Sequence, residues 1–190
     1  RDIALRFSSS VHDPSVQFLF GRNPQRCDVL LTPDPHNRHI SNMHFRIFLN
    51  ADGILMLQDM STNGTVVDNV RLWKRLNETT HMLVNGSVIQ VASDNRKNRE
   101  VRFVVRIPPR DGFHTEYQNN LIEYLRRIPS PKNGQASAQP GRPPFGVGGP
   151  YGMHWGGGSL YNVTGQIGKG AFATVYKLAT KQHGVVYAAK

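Results

Sequence analysis

The residues of this sequence that could perform chemistry fall into four short polar clusters. These are Gly21-Arg22-Asn23, Ser41-Asn42-Met43-His44, Ser61-Thr62-Asn63-Gly64 and Asn85-Gly86. Arginine supplies a delocalised cation, hydroxyl groups supply short donors, and carboxamides can hydrogen-bond a peptide main chain. If the clusters converge at one end of a domain, they make an anion-binding site. Taken singly, each has a plainer explanation as a solvated cation, a chance Ser-x-x-His pair or a tight turn.

The third cluster has two interpretations. Asn63-Gly64 lies between runs of β-forming residues, which is typical of a type I′ hairpin turn, because both central residues of that turn need positive φ. Under this interpretation residues 61–65 only reverse the chain. A Ser-Thr-Asn cluster at a loop tip is equally typical of a binding site. The local pattern leaves both interpretations open.

The elements that must position these clusters are short β-strands. Residues 1–107 alternate β-forming runs with turn residues, which predicts an antiparallel sandwich or barrel. The predicted strands lie within residues 3–7, 16–20, 27–31, 44–49, 54–59, 65–67, 87–92 and 101–107. Because the clusters fall at strand ends, we expect them in the loops of this domain.

The rest of the chain has a different residue pattern. Residues 115–128 place apolar side chains at three- and four-residue spacings, which predicts a short amphipathic helix packed on the sandwich, with Thr115 or Asp111 as its cap. Residues 129–160 are nearly half Pro or Gly and are expected to form a flexible linker. A β-rich pattern returns at 161–190.

Charge and composition limit the classes of partner. The formal net charge is +10, which favours anionic partners such as phosphoproteins, nucleotides and nucleic acid. Nucleic acid is disfavoured, because the basic residues of the acid-free segment 129–190 are too sparse to form a stripe. No apolar run is long enough to span a membrane. The single Cys27 excludes an internal disulfide, so a nuclear or cytoplasmic location is expected.

The first three clusters, in their order and spacing, resemble those of the forkhead-associated (FHA) domain. The matching segments are "FGRN" at 20–23, "SNMHF" at 41–45 and "STNGT" at 61–65, and the resemblance covers residues 1–107. Three spaced motifs are far more specific than any one of them. The resemblance implies a mainly β fold, an FHA-type antiparallel β-sandwich, that binds phosphothreonine peptides without a cofactor.

The resemblance also implies roles for individual residues. Arg22 and Ser41 would contact the phosphate directly, and Thr62 would add a hydroxyl or backbone donor. Asn63 would hydrogen-bond the peptide main chain beside the phosphothreonine, and Asn42 would do the same from the neighbouring loop.

Three further residues have structural roles in that pattern. Gly21 is expected to be structural, His44 to prop the loops, and Gly64 to let the turn form because it lacks Cβ. FHA domains also prefer phosphothreonine to phosphoserine and discriminate at the third residue after it. The positions that correspond here are Arg38, His39 and residues 92–95, which favours an acidic peptide side chain at that place.

The C-terminal segment has a glycine-rich loop between β-forming runs, then a turn at Gly184 and a third run that ends in Ala-Ala-Lys. This order resembles the first three strands of a protein kinase N-lobe, and "GAFATV" resembles the FHA-containing checkpoint kinases of fungi. Ala173 replaces the third glycine of the usual pattern. The residues that the resemblance assigns to ATP are Ile167, Gly168, Lys169, Gly170, Ala171, Phe172, Ala173, Val175, Ala188 and Lys190.

Within that assignment, Gly168 and Gly170 would let the backbone approach the triphosphate, and Lys190 would hold the α- and β-phosphates. Val175 and Ala188 would cover the adenine. ATP with Mg²⁺ is expected in a longer parent protein, and this chain supplies no metal site. Because it has no H-R-D loop and no D-F-G aspartate, the 190-residue chain is expected to be inactive alone.

Together the resemblances imply a fragment, beginning at Arg1, of a Ser/Thr protein kinase of the DNA-damage, replication or meiotic checkpoint type. Its partners would be phosphothreonine-containing proteins, either an adaptor or a second copy in trans, and kinase substrates. The expected domains are FHA (1–107), an extension with the helix (108–128), the linker (129–160) and a truncated kinase N-lobe (161–190). A stand-alone phosphopeptide adaptor and a nucleic-acid-binding protein are the alternatives.

Overall fold

The computed structural model describes most of the chain, and within the described part the protein is mainly β. The described residues are 2–76, 78–91, 101–129, 161–169 and 174–189. Apart from its first residue, the predicted linker at 129–160 lies outside them, as do residues 92–95 of the predicted selectivity loop. No helix in these ranges is long and apolar enough to cross a membrane.

The strands fall into an N-terminal group of nine and a C-terminal group of three within the described ranges. They are β1 (Phe18–Gly21), β2 (Val29–Leu30), β3 (Phe45–Leu49), β4 (Leu55–Asp59), β5 (Thr65–Val67), β6 (Val70–Leu72), β7 (Thr80–Met82), β8 (Val88–Val91), β9 (Val101–Val104), β10 (Tyr161–Lys169), β11 (Thr174–Thr180) and β12 (Val186–Ala189). The single described α-helix, α1, is His114–Arg127, and a 3-10 turn covers Lys74–Leu76.

The N-terminal strands form a sandwich of two sheets, which confirms the predicted fold class. Sheet A has the order β2-β1-β3-β4-β7 and sheet B the order β6-β5-β8-β9. Neighbours are antiparallel except for β2, which runs parallel to β1.

Alternating side chains from the two sheets make the sandwich core. Phe45 and Leu57 face inward from sheet A, and Val67 and Ile89 face inward from sheet B. Burying a side chain of this kind stabilises the fold by about 1.5–3 kcal/mol. Because the inner faces are occupied by this core, the strand ends and their loops are left to contact a ligand.

The strand prediction is wrong at residues 3–7. This segment has the alternating pattern, but it forms no strand. Instead the ring of Phe7 packs against the rings of Tyr117 and Tyr124, with centroids 5.4 and 5.1 Å apart. The short strands β6 and β7 were not predicted, because three residues are too few for an alternating pattern to stand out.

The predicted type I′ hairpin at Asn63-Gly64 is also wrong. β4 belongs to sheet A and β5 to sheet B, so residues 60–64 cross between the sheets instead of pairing their flanking strands. Gly64 has a φ of +88°, but Asn63 does not have positive φ. The two residues that do form such a turn are Asp68 and Asn69, with φ of 49° and 69°, which join β5 to β6.

Helix α1 packs on the sandwich as predicted. Its buried residue Leu121 lies against Gly53, where an added Cβ would be 2.8 Å from a Leu121 methyl group. The Tyr124 hydroxyl donates to Gln17 Oε1 at 3.2 Å. The predicted caps are wrong, since the N-cap residue is Phe113 and no side chain caps the helix.

The C-terminal strands form an antiparallel sheet in the order β10-β11-β12 that packs on the outer face of sheet A. Met56 and Met82 lie on the face of sheet A away from the sandwich core, and they join Ala179 of β11 in a second apolar cluster. The backbone N–H of Met82 donates to Lys181 O at 2.6 Å. The Thr80 hydroxyl donates to Gln182 O at 2.7 Å, so the β11–β12 turn is fastened to the edge strand β7.

This contact has two further components. Gly184 in the turn has a φ of +66°, and a Cβ there would lie 2.7 Å from Met56 Sδ, so glycine is favoured at this position. Lys177 of β11 is buried, and burial lowers its pKa, while the carboxylate of Asp52 in the sandwich acts in the opposite direction. The C-terminal sheet and the sandwich therefore interact through apolar packing and through electrostatic attraction.

Met56→Lys should loosen the C-terminal sheet from the sandwich, because it places a charge at a position that is 1% exposed. We expect hydrogen exchange of residues 174–189 to accelerate about tenfold or more, equivalent to about 1.4 kcal/mol, while β3 stays protected. The matched control is Val70→Lys, which adds the same charge at an exposed apolar position of sheet B. Equal protection of 174–189 in both variants would contradict this packing.

Candidate anion-binding site

Three of the four predicted clusters meet at one end of the sandwich. Residues 21–23 lie at the end of β1, residues 41–44 precede β3, and residues 61–64 follow β4. Because β3 is antiparallel to both β1 and β4, these positions lie at the same end of sheet A. We call this row of strand ends and loops the loop edge, or simply this edge, to distinguish it from the outer strands of the sheet. The fourth cluster, residues 85–86, precedes β8 at the opposite end of the sandwich, where Gly86 N donates to Val105 O.

Ser41 lies at the centre of this meeting. Its carbonyl accepts the backbone N–H of Arg22 at 3.2 Å, and the next carbonyl, that of Asn42, accepts the N–H of Asn23 at 3.3 Å. The Ser41 hydroxyl oxygen accepts the backbone N–H of Thr62 at 3.1 Å. One residue therefore links all three loops, through its carbonyl to Arg22 and through its hydroxyl to Thr62.

The Arg22 side chain lies beside the loop of residues 32–40. Its Nη1 donates to the carbonyl of Pro35, whereas its Nε is buried and has no hydrogen-bond partner among the described residues. A buried donor without a partner is unfavourable. An anion that reached this nitrogen would therefore be favoured by hydrogen bonding as well as by charge.

The two asparagines predicted to hold the peptide are both in place at this edge. Asn63 Nδ2 donates to His39 O at 3.1 Å, which ties its loop to the loop before Ser41. Asn42 is exposed, and its carbonyl also accepts the Cys27 thiol at 3.0 Å. The predicted selectivity residues Arg38 and His39 are exposed in the same loop.

His44 is fully buried beneath the loop that it was predicted to support. Its Nδ1 accepts the backbone N–H of Ser41 at 3.0 Å, so the neutral ring carries its proton on Nε2. Burial lowers the pKa of His44 to about 4, and the backbone of Gly64 acts in the opposite direction. The ring is thus neutral near pH 7 and orients Ser41 without adding charge to the site.

Asp59 at the end of β4 was not found from the sequence, although it organises the third loop. Its Oδ1 accepts the hydroxyls of Ser61 and Thr65, both at 2.7 Å, and the Ser61 oxygen accepts the N–H of Gly64 at 2.7 Å. Burial raises the pKa of Asp59, and these hydroxyls act in the opposite direction. An Asp with Ser two residues later at a strand end was the available signal.

Gly21 and Gly64 are each required by close approach. A Cβ on Gly21 would lie 2.2 Å from the carbonyl oxygen of Asn42, and one on Gly64 would lie 2.9 Å from that of Leu72. Gly64 also has positive φ. A larger residue at position 21 would push the first loop from the second, and one at position 64 would push the third loop from β6.

Two further residues at this edge were not predicted. Trp73 follows β6, and its indole Nε1 donates to the carbonyl of Thr62 at 2.8 Å. Arg71 of β6 donates from Nη2 to the carbonyl of Asn63 at 2.7 Å. The third loop is thus held from sheet B as well as from Ser41.

The residues assigned to ATP are distributed over the C-terminal sheet where they are described. Ile167, Gly168 and Lys169 end β10, Val175 lies in β11 opposite Gly168, and Ala188 lies in β12. Outside the described residues are Gly170, Ala171, Phe172, Ala173 and Lys190. Within the described ranges, no group of three or more His, Cys, Asp or Glu side chains could hold a metal ion.

Comparison with known proteins gives a family and a relative. Residues 18–92 match the family described as FHA domain. The chain is 31% identical over 172 residues to the serine/threonine-protein kinase RAD53 of Saccharomyces cerevisiae, which covers 90% of this chain and 20% of that protein. The chain therefore spans about a fifth of the length of this curated relative.

Several solved structures are similar. An engineered FHA domain with a Myc-pTBD peptide is 34% identical, with a TM-score of 0.41 over 50% of this chain and 71% of that one. The N-terminal FHA domain of S. cerevisiae Rad53p in complex with a phosphothreonine peptide is 30% identical, with a TM-score of 0.42 over 57% and 83% of the two chains. Rad53 1-466 in complex with AMP-PNP is 23% identical, with a TM-score of 0.42 over 99% and 39%.

The lowered pKa of His44 predicts a pH-dependent stability. Between the ordinary value of 6.5 and about 4, the unfolded chain binds a proton at this ring that the folded chain does not, so stability falls as pH falls through that range. The loss is on the order of 3 kcal/mol. The raised pKa of Asp59 acts in the opposite sense, favouring the folded state at lower pH.

NMR titration of the His44 ring is the direct measurement, and a midpoint above 6 would contradict the assignment. Unfolding at pH 6.5 and 4.5 provides the second. His44→Gln should flatten the pH dependence, and His36→Gln, at an exposed histidine, is the matched control that should retain it.

Proposed function

We propose, from the match of residues 18–92 to the FHA domain family, that the loop end of the sandwich binds phosphothreonine peptides. The observation that carries the proposal is the hydrogen-bonded meeting of Arg22, Ser41 and Thr62 at one edge. These bonds bring the backbones of one cationic residue and two hydroxyl-bearing residues together at a single place. A phosphate group carries about −1.5 to −2 charges at pH 7 and three acceptor oxygens, which suits this set of donors.

Two of the proposed phosphate contacts, Ser41 and Arg22, have a donor to spare. The Ser41 oxygen accepts from Thr62 N–H, so the Ser41 hydroxyl proton is available to a phosphate oxygen. The Arg22 Nε lacks a partner and would gain one. A charge-assisted hydrogen bond is roughly twice as strong as a neutral one, so the arginine is expected to contribute most.

The peptide main chain would be held beside the phosphate by the two carboxamides. Asn63 and Asn42 flank Ser41 on two different loops, so one peptide could contact both. Preference for phosphothreonine over phosphoserine would come from packing of the extra methyl group. Preference for an acidic third residue, through Arg38 and His39, belongs to the same proposal.

For a longer parent protein we propose a Ser/Thr protein kinase of the checkpoint type, nuclear or cytoplasmic, that uses ATP and Mg²⁺. The support is the match to RAD53 over 172 residues, which must extend well beyond the FHA domain. The domains would be those expected from the sequence: 1–107, 108–128, 129–160 and 161–190. The linker would tether the kinase near proteins docked at the FHA domain, either an adaptor or a second copy, and so raise its effective concentration there.

Titration of the chain with matched Thr, phosphothreonine and phosphoserine peptides tests the proposal. Phosphothreonine should bind at least tenfold more tightly than Thr, because the charged hydrogen bonds are worth about 1.5–3 kcal/mol each. Phosphoserine should bind more weakly than phosphothreonine. If Thr and phosphothreonine peptides bind equally, the loop end is not a phosphate site.

Arg22→Ala should weaken phosphothreonine binding by about tenfold to a hundredfold, with little change in the melting temperature, because the side chain is partly exposed and its hydrogen bond to Pro35 O lies outside the core. Arg26→Ala is the matched control, since Arg26 is exposed in the same loop and takes no part in the site. Equal losses in the two variants would indicate attraction by net charge alone.

The kinase proposal has its own test in the longer protein. Lys190→Met should abolish autophosphorylation with ATP and Mg²⁺, because the lysine would no longer hold the α- and β-phosphates. Binding of the phosphothreonine peptide should remain. Autophosphorylation at the wild-type rate would refute the assignment of Lys190.

A further inference from the structure

Two arginines and a tryptophan form a stack beside the third loop of the site. The guanidinium carbons of Arg71 and Arg75 each lie 4.7 Å from the centroid of the Trp73 ring. Both arginines are exposed, and Trp73 is half-buried. Contact with an aromatic face holds a guanidinium in place and leaves its edges free to donate hydrogen bonds. We call these three residues the basic stack.

The basic stack is attached directly to the residues of the proposed phosphate site. Trp73 donates to the carbonyl of Thr62, and Arg71 donates to the carbonyl of Asn63, at 2.8 and 2.7 Å. The backbone N–H of Trp73 donates to Glu78 O at 2.7 Å, and this bond closes the segment around the 3-10 turn Lys74–Leu76. The stack is therefore an ordered extension of the site.

The charge of the stack is not neutralised within the described part of the chain. Glu78 is exposed and meets Trp73 through its main chain, and neither Arg71 nor Arg75 forms an ion pair there. The buried carboxylate of Asp59 accepts the hydroxyls of Ser61 and Thr65, and it also interacts electrostatically with Lys74, which is exposed and lies between the two arginines in the sequence. Asp59 therefore partly balances the charge of Lys74, whereas the charges of Arg71 and Arg75 have no such partner among the described residues.

We propose that the basic stack binds a second anionic group of the same peptide, a carboxylate or a second phosphate. This inference rests on the proposed phosphothreonine site and adds a subsite to it. Arg75 is the principal contact, because one N–H group of Arg71 already donates to the carbonyl of Asn63. The subsite lies on the side of Thr62 toward sheet B, whereas Arg38 and His39 lie in the loop before Ser41, toward sheet A.

The position of the anion along the peptide is limited by geometry. An extended peptide advances about 3.3 Å per residue. Trp73 of the basic stack is hydrogen-bonded directly to Thr62, so the stack lies next to the proposed phosphate contact. The second anion is therefore expected within about two to four residues of the phosphothreonine. A guanidinium can bind carboxylate and phosphate with the same pair of donors, so both sources have the required chemistry.

The experiment is a position scan on a phosphothreonine peptide with neutral flanks, measured against the full 190-residue chain. Asp is placed at each of the four positions on either side, with Asn at the same position as the uncharged control. A second scan places phosphoserine at the same positions, with Ser as its uncharged control. One position should tighten binding about tenfold relative to its uncharged control, as a charge-assisted hydrogen bond predicts, and the gain should shrink as salt is raised.

The variants identify the group responsible. Arg75→Gln should reduce the gain to less than about twofold and leave the affinity of the neutral-flank peptide unchanged, since the pairwise coupling is lost without disturbing Thr62 or Asn63. Arg106→Gln is the matched control, because it removes the same charge from an exposed position beyond β9, at the opposite end of the sandwich. It should retain the full gain.

The outcomes separate the two proposals. If the neutral-flank peptide binds no better in its phosphorylated form, the phosphothreonine site fails and the subsite fails with it. If that peptide binds but both scans are flat, or the gain survives Arg75→Gln, only the subsite is overturned. A gain with Asp and with phosphoserine indicates a subsite that accepts either anion, and a gain with phosphoserine alone indicates a second phosphate.

Discussion

The buried carboxylate of Asp59 is the interaction on which the loop end of the sandwich depends. A carboxylate that is 1% exposed is unfavourable unless it is hydrogen-bonded, and here one oxygen accepts the hydroxyls of Ser61 and Thr65. Asp59 ends a strand of sheet A and Thr65 begins a strand of sheet B, so their contact joins the sheets where the chain crosses between them. Thr62 lies inside this crossing. Its place beside residues 41–44 therefore depends on a polar network in the core.

Much of this edge could be predicted from the order and spacing of its residues. Arg22, Ser41 and Thr62 lie at strand ends in a pattern that resembles the FHA family, and strand ends of an antiparallel sheet meet at its edges. The hairpin interpretation of residues 63–64 is wrong because a glycine with positive φ occurs in a loop that crosses between sheets as well as in a hairpin turn. The Asn-Gly dipeptide alone does not indicate which sheet the next strand joins. Residues 68–69, which lack glycine, adopt the predicted turn type instead.

The features that could not be predicted depend on partners that are distant in the chain. Trp73 is a residue type that is common in strands, so its identity indicates no role at the loop edge. Its hydrogen bond to Thr62 forms because β6 pairs with β5. Met56 belongs to a strand that is apolar on both faces, a pattern that indicates burial without naming what covers the outer face. The cover is Ala179 and its neighbours, whose own sequence indicates only a β-strand. Local sequence patterns predict these strands, but only tertiary packing determines which residues each strand contacts.

Strand β4 reaches from the interface with the C-terminal sheet to the ligand edge. Met56 lies under the C-terminal sheet and Asp59 under the third loop, three residues or about 10 Å apart along an extended strand. Hydrogen bonding to β3 on one side and β7 on the other makes this strand a stiff rod. The two regions are therefore constrained by the same strand. If the proposed peptide favoured one seating of the C-terminal sheet, that seating would favour the peptide by an equal free energy.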